Sequence, residues 1–406
     1  MSGGALSARA APTADIAPPG LPFAPGHGRL AVRQLRVTDF RNYSRLRLDL
    51  DATPVVLVGD NGAGKTNLLE AVSFLAPGRG LRRARLDEIA RRDAASPAWA
   101  VAATLDTPRG RLAIGTGVET VAASGGGDAA ARRVVRIDGK SVASQLALGA
   151  HVAAIWLTPQ QDRLWVDGPG ERRRFLDRMV AAFDPEHAGA VAAYEQAMRQ
   201  RARLLVEGRQ DARWLAALED TMARHGVAVC AARLDLVARL DQAARLGVGP
   251  FPRASLAMTG EVEAWVQETP ALDAEDRLRA TLAANRPLDA AAGATTCGPH
   301  RGDLAVRHLD RGVAAAQGST GEQKAVLIAI ALAHARLVSL ARGRPPLLLL
   351  DEIAAHLDGR KRDALFAEIE ALGSQAWMTG TDAGDFSALA GRAQFLDVGD
   401  GATRPL

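Results

Sequence analysis

The 406-residue sequence predicts an α/β fold, one head built on a largely parallel sheet and split by an inserted helical arm. Three observations point there. A short apolar strand, Pro54–Val58, runs straight into a glycine-rich loop that opens a helix. Far downstream, a run of four leucines, Leu347–Leu350, ends in two carboxylates. Between them, the segment from Gly170 to about Leu246 changes to helical periodicity.

In chain order, residues 1–30 are rich in Ala, Pro and Gly, show no hydrophobic period and read as a disordered tail. They lack the basic, apolar and small-residue succession of a secretory leader. Alternation at Leu35, Val37 and Phe40 predicts a strand, Leu46, Leu48 and Leu50 a second, and Pro54–Val58 a third. Thr66–Leu75 has helical spacing, and residues 99–137 read as antiparallel strands with turns at Asp106–Arg111 and Ser124–Asp128. Residues 31–168 thus form the first half of the head. An arm lobe follows over 169–290, a helical hairpin or small bundle with breaks near Asp184-Pro185 and Gly208. The second half, 291–406, holds a helix over Lys324–Leu340, whose run Val326–Leu332 reads as core, and the strand Leu347–Leu350. There is no long heptad array and no fixed repeat.

Composition sets bounds. Hydrophobic residues make up 48% of the chain, enough for a sizeable core, and no uninterrupted apolar run reaches membrane length. Cys230 and Cys297 lack metal-ligand spacing and read as buried small hydrophobes, with a cytoplasmic home expected. A net charge of +4, carried almost wholly by arginine, permits nucleic-acid binding without demonstrating it.

Gly59-Asp60-Asn61-Gly62-Ala63-Gly64-Lys65-Thr66 fits the phosphate-binding P-loop, and it lies between a strand and a helix as that motif requires. Glycines let backbone N–H groups face a phosphate, and the helix N-terminus adds a favourable dipole. Lys65 reaches the terminal phosphates of ATP, and the Thr66 hydroxyl is placed to ligate Mg²⁺. A strand apolar on both faces, Leu347–Leu350, reads as central and parallel. Asp351 at its end would hold Mg²⁺ through water, and Glu352 would polarise the attacking water.

Two readings of Gln317–Gln323 stay open on local chemistry. One is an ordinary helix start, capped by Ser319 or Thr320 with Glu322 or Gln323 in the first turn. The other is a phosphate grip, using N–H groups near Ser319 and Gly321 on a nucleotide held by a second copy. The P-loop and the acidic pair favour the second, because the segment then resembles the signature of ABC ATPases. Ala355-His356-Leu357-Asp358 follows at the spacing of the D-loop, whose aspartate meets the opposing subunit. This order of motifs describes an ABC-type head interrupted by an insertion, with ATP as part of a homodimer interface.

The chain further resembles the RecF family, in the SMC-like branch of ABC ATPases. The matching segments are Phe40–Tyr43, Thr66–Ala71, Trp156–Pro159, Arg172-Arg173-Arg174-Phe175-Leu176-Asp177, Gly298–Arg301 and Trp377–Asp382. The resemblance implies an ATP- and Mg²⁺-dependent dimer that binds double-stranded DNA and single-strand/double-strand junctions and hydrolyses ATP slowly with DNA stimulation. It implies work with RecR and RecO in loading RecA at gaps, at the nucleoid. It adds Arg41, Asn67 and Gln323 as nucleotide contacts, and Gln160 or Gln161 as the Gln-loop. Arg79, Arg82 and Arg83 after the P-loop helix, with Arg172 and Arg173 at the start of the arm, are the DNA-binding candidates, for backbone contact without sequence reading. One departure stands out: no histidine follows His356, and Thr381 lies where many ABC ATPases place a γ-phosphate contact. The competing class is the nucleotide-binding subunit of an ABC transporter. The long insertion, the extra N-terminal strands and the missing late histidine oppose it. The insertion is too short for a long coiled coil, and no acidic nuclease region remains.

Overall fold

The structure, a computed structural model, describes residues 29–94, 96–121, 130–208, 211–354 and 357–406. The tail expected over 1–30 falls almost wholly outside the described residues, as do Ser124–Asp128, Ala355 and His356. The first half of the head contains β1 (Ala31–Phe40), β2 (Tyr43–Asp49), β3 (Val55–Val58), α1 (Lys65–Ser73), β4 (Ala100–Thr107), β5 (Gly110–Val121), β6 (Ala130–Ile137), β7 (Lys140–Ser141) and β8 (Ala154–Leu157). Next come α2 (Pro169–Phe183), α3 (His187–Val206), α4 (Ala212–Leu246), β9 (Ala254–Thr259), α5 (Glu261–Glu268), α6 (Ala271–Ala284) and α7 (Arg286–Ala292). The chain closes with β10 (Asp303–His308), β11 (Val313–Ala314), α8 (Thr320–Arg342), β12 (Leu347–Leu350), α9 (Gly359–Leu372), β13 (Ala376–Gly380), β14 (Gln394–Gly399) and β15 (Ala402–Pro405).

The central sheet runs β15-β14-β3-β13-β12-β8, parallel except for β15 at its edge. All four residues of β3 and all four of β12 are buried, because both faces are covered. Side-chain alternation splits each strand between two cores. Leu348 and Leu350 pack with α8, while Leu347 and Leu349 pack with α1 and the antiparallel sheet β2-β1-β4-β5-β6-β7. Only β13 separates β3 from β12, so the C-terminal ends of those two strands, and whatever follows them, meet at one edge.

Helix α8 begins at Thr320, four residues before the Lys324 predicted from periodicity, because the apolar stripe starts only after a polar cap. By length and composition it passes for a membrane span, yet it is buried inside the head, so its apolarity serves the core. In the arm, α2 stops just before Asp184-Pro185, and α3 and α4 pair as a long hairpin. The sequence reading missed the sheet β11-β10-β9, which ties the end of that hairpin back to the head.

Ion pairs fix the arm. Arg233 on α4 gives Asp177 on α2 two hydrogen bonds of 2.8 and 2.9 Å and donates a third, 2.8 Å, to the Pro299 carbonyl. Two of the segments that carry the family resemblance are thus joined at the arm's root. Deeper, Arg201 is fully buried and donates to Glu219 (3.0 Å), Asp289 (2.7 Å), Thr295 (3.2 Å) and the Leu282 carbonyl (2.6 Å). A buried guanidinium is tolerable only when its donors are satisfied in this way. Arg201→Ala should therefore destabilise the chain by about 3–5 kcal/mol. Arg199→Ala, which breaks an exposed pair with Glu195, should change it by less than about 1 kcal/mol; urea unfolding of the two variants makes the comparison.

Candidate active site

The glycine-rich loop leaves β3 at Gly59 and enters α1 at Lys65. A Cβ on Gly59 would lie 2.3 Å from the Val398 carbonyl oxygen, and Gly64 is left-handed (φ 110°) with Asn42 and Tyr43 against it. Those neighbours fasten the loop: Tyr43 donates to the Gly64 carbonyl (3.1 Å) and Asn42 to the Ala63 carbonyl (3.2 Å). Asn67, one turn into α1, donates to the Asn42 side chain at 2.7 Å. Asp60, Asn61 and Gly62 form the exposed crest. Lys65 is buried, and its ammonium spans the loop to the Gly59 (2.5 Å) and Asp60 (2.8 Å) carbonyls. Burial lowers its pKa, opposed by the charges of Glu352, Asp351 and Asp60.

Across the sheet edge, the Thr66 hydroxyl donates to the Asp351 carboxylate at 2.9 Å. Thr379, at the end of β13, donates to the same oxygen at 2.9 Å and accepts the Glu352 N–H at 2.8 Å. Burial raises the Asp351 pKa, with the Thr66 and Thr379 hydroxyls pulling the other way. Glu352 is half-buried and sits in the left-handed region (φ 52°), a strained position for a residue with a side chain. A hydroxyl and a carboxylate are hard oxygen donors that suit Mg²⁺, which commonly takes one or two carboxylates and completes its shell with phosphate and water.

The remaining predicted contacts divide. Ser319 caps α8: its N–H donates to Glu322 at 2.8 Å and its hydroxyl accepts the Glu322 N–H at 3.4 Å. The local capping reading therefore holds, yet Ser319, Thr320 and Gly321 stay exposed and their face is open. Asp358 caps α9, accepting the Lys361 N–H at 2.9 Å, and is exposed too. Gln323, expected as a nucleotide contact, is buried and donates to the Ala316 (3.3 Å) and Gly318 (2.8 Å) carbonyls, so it shapes the loop from behind. Arg41, expected as a nucleotide contact, grips Glu70 through two 2.7 Å bonds.

Among the DNA candidates, Arg79, Arg82 and Arg83 lie on an exposed loop after α1. Arg82 is partly committed to α1, at 2.5 Å from Asn67 and 3.1 Å from Glu70. Arg172 and Arg173 are corrected. Arg172 pairs with Asp303 through two 2.8 Å bonds and Arg173 donates to the Gly302 carbonyl at 2.7 Å, so both clamp α2 to the start of β10.

With this geometry in view, comparison with known proteins is decisive. The RecF/RecN/SMC N terminal domain family matches residues 31–389. The DNA replication and repair protein RecF of Mesorhizobium japonicum is 50% identical over 92% of this chain and 97% of its own length. That of Agrobacterium fabrum is 48% identical over 92% and 98%. The chain belongs to the RecF family. A solved recombination mediator protein RecF-ATPrS in the RecFOR pathway has the same fold, with TM-score 0.80 and 20% identity over 94% of this chain and 99% of that one.

In this RecF-family head, sequence reading missed four supports of the site: Asn42, Tyr43, Glu70 and Thr379. All four lie in or beside segments that carry the resemblance, but their roles depend on long-range contacts. Thr379 holds both acidic residues at once. Thr379→Val should reduce ATP turnover about tenfold or more, the equivalent of one lost hydrogen bond to a charged group. Thr379→Ser should retain most of it, and steady-state phosphate release distinguishes the two.

Proposed function

We propose that the chain is an ATP-dependent DNA clamp of recombinational repair and replication restart. It binds Mg-ATP, dimerises face to face, holds double-stranded DNA near gaps and junctions, and hydrolyses ATP slowly with DNA stimulation. The single observation that carries the reading is the Thr66–Asp351 hydrogen bond on a molecule whose Ser319–Gly321 face is exposed. One half of a phosphate site is assembled and the other half faces outward.

In this reading, the N–H groups of Gly62–Thr66 and the α1 dipole receive the β-phosphate, and Lys65 exchanges its carbonyl partners for β/γ-oxygens. Thr66 and Asp351 would hold Mg²⁺, which would supply neutralisation of the charge developing on the phosphates. Glu352 orients the attacking water, with Thr379 fixing its backbone. A second copy brings Ser319 and Gly321 at the start of α8 to the γ-phosphate, and Asp358 to the seam. ATP then becomes interface material, so assembly follows nucleotide binding by mass action.

Turnover is slow because one stabiliser of the developing charge is missing. Thr381, exposed just past β13, stands near the position where other ABC heads place a histidine. Losing such a donor reduces rate by about 10²-fold, which places turnover below roughly 10 s⁻¹. The exposed Arg79, Arg82 and Arg83 supply contacts to the DNA backbone. Partnership with RecR and RecO in loading RecA, in a cytoplasmic, nucleoid-associated setting, belongs to the same proposal and is supported by family membership.

Sedimentation of the wild type and Glu352→Gln tests the clamp. Mg-ATP should convert monomer to dimer, Glu352→Gln should hold the dimer, and duplex DNA should move with it. A protein that stays monomeric with ATP bound would remove the trans role of Ser319 and Gly321.

A further inference from the structure

We propose that the cavity beside the P-loop, enclosed by the Leu81–Arg83 loop, the segment after β8 and helix α2, is a second phosphoanion site. It holds about 480 Å³, and none of Gly59–Thr66 lines it. Arg82, Arg83, Arg174 and Arg178 line it, together with Gln161, Trp156 and Phe175 among others.

The wall offers more donors than the protein uses. Arg178 makes no hydrogen bond or ion pair among the described residues. Its guanidinium instead lies 5.4 Å from the Trp156 ring centroid and 5.8 Å from that of Phe175. Aromatic faces orient such a cation without neutralising it. Arg83 likewise has no hydrogen-bonded carboxylate among the described residues, and its backbone is left-handed (φ 57°) at the cavity mouth. Two carboxylates line the cavity: Glu171 is engaged by Arg174, and Asp167 lies 3.7 Å from Arg163. The Gln161 amide nitrogen is buried with no acceptor, because the other end of that side chain accepts the Thr158 N–H.

Burial lowers the Arg178 pKa to about 10, and the charge of Arg83 adds to the effect. Burial also lowers that of Arg83, with Arg174 and Arg79 adding. Cations that repel one another in a half-closed space are held at a cost unless an anion joins them. Planar N–H forks and an unused amide donor suit the tetrahedral oxygens of a phosphoryl group. Arg82 and Arg83 carry the lining onto the exposed loop, so a phosphodiester of DNA is one source and free phosphate the other. The DNA source deepens the function proposed above and rests on it; the anion chemistry stands without it.

The test uses the full chain saturated with Mg-ADP, which fills the P-loop and leaves this cavity as the variable. Two probes are read: melting temperature against inorganic phosphate, and anisotropy of a short labelled duplex across a salt series. Arg178→Gln and Arg83→Gln are compared with wild type, Arg83 being the safer for folding because it sits at the mouth. At least one probe should weaken about tenfold in both variants, with the salt slope for DNA falling by about one per arginine if a phosphodiester is bound. Loss confined to the phosphate response assigns free phosphate as the ligand, and loss confined to the duplex assigns the DNA backbone. If Arg83→Gln leaves both responses at wild-type values, the cavity is not a phosphoanion site. A wild type that ignores DNA but responds to phosphate removes the DNA reading alone, and a missing Mg-ADP stabilisation points instead to the P-loop.

Discussion

The structure depends on a buried carboxylate that has to meet a loop from the far end of the chain. Asp351 lies at the end of a strand apolar on both faces, where an unpaired charge is expensive. Two hydroxyls, Thr66 and Thr379, reach the same oxygen at 2.9 Å. Each comes from a different parallel strand–loop unit, so the carboxylate is satisfied only when β3, β13 and β12 are side by side in that order. Sheet order and site chemistry are therefore one constraint. A register slip in β13 would turn Thr379 to the other face and leave both acidic residues without their common partner.

A second constraint acts on the arm, which departs from the head between β8 and β10. Helices of this length are not held at a fixed angle by a short loop. They are held here by arginines: Arg172 on Asp303, Arg173 on the Gly302 carbonyl, and Arg233 joining Asp177 to Pro299. Planar guanidinium forks suit this role, since each fixes direction as well as distance. Part of the arginine-rich composition is thus committed to structure, with Arg201 and Arg233 buried outright and Arg172 and Arg173 held at the arm's root.

This distinction explains what was legible in the sequence. The P-loop and the acidic pair are runs of adjacent residues whose chemistry is local, and each could be recognised where it stood, whereas Gln317–Gln323 read as a signature only in their company. The strands β3 and β12 were readable because burial on both faces leaves a continuous apolar signature. The partners of Arg41, Arg172, Arg173 and Gln323 were not legible, because Glu70, Asp303, Gly302 and the loop carbonyls are brought to them by tertiary contact, and nothing in a triplet of arginines tells a clamp from a DNA contact. The strand β9 was lost for a related reason: its partner β10 lies beyond three helices. Thr379 was visible as part of a resembling segment, but its double hydrogen bond belongs to no local pattern.

The loop after α1 shows how neighbouring residues can serve two places. Arg82 turns toward α1 and bonds Asn67 and Glu70, and Glu70 also holds Arg41 at the β1–β2 turn that fastens the P-loop. Arg83, one peptide bond on, faces the cavity by α2. Both residues line that cavity, and Arg82 is tied to α1 as well. An anion that draws Arg83 inward acts on the same short segment that Arg82 anchors to α1, through covalent geometry and not through a diffuse path. Coupling of this kind has a definite sign requirement: the anion must bind one arrangement of the loop more tightly than the other. The fully buried Glu70, held from both sides by Arg41 and Arg82, is what links that segment to the β1–β2 turn beside the P-loop.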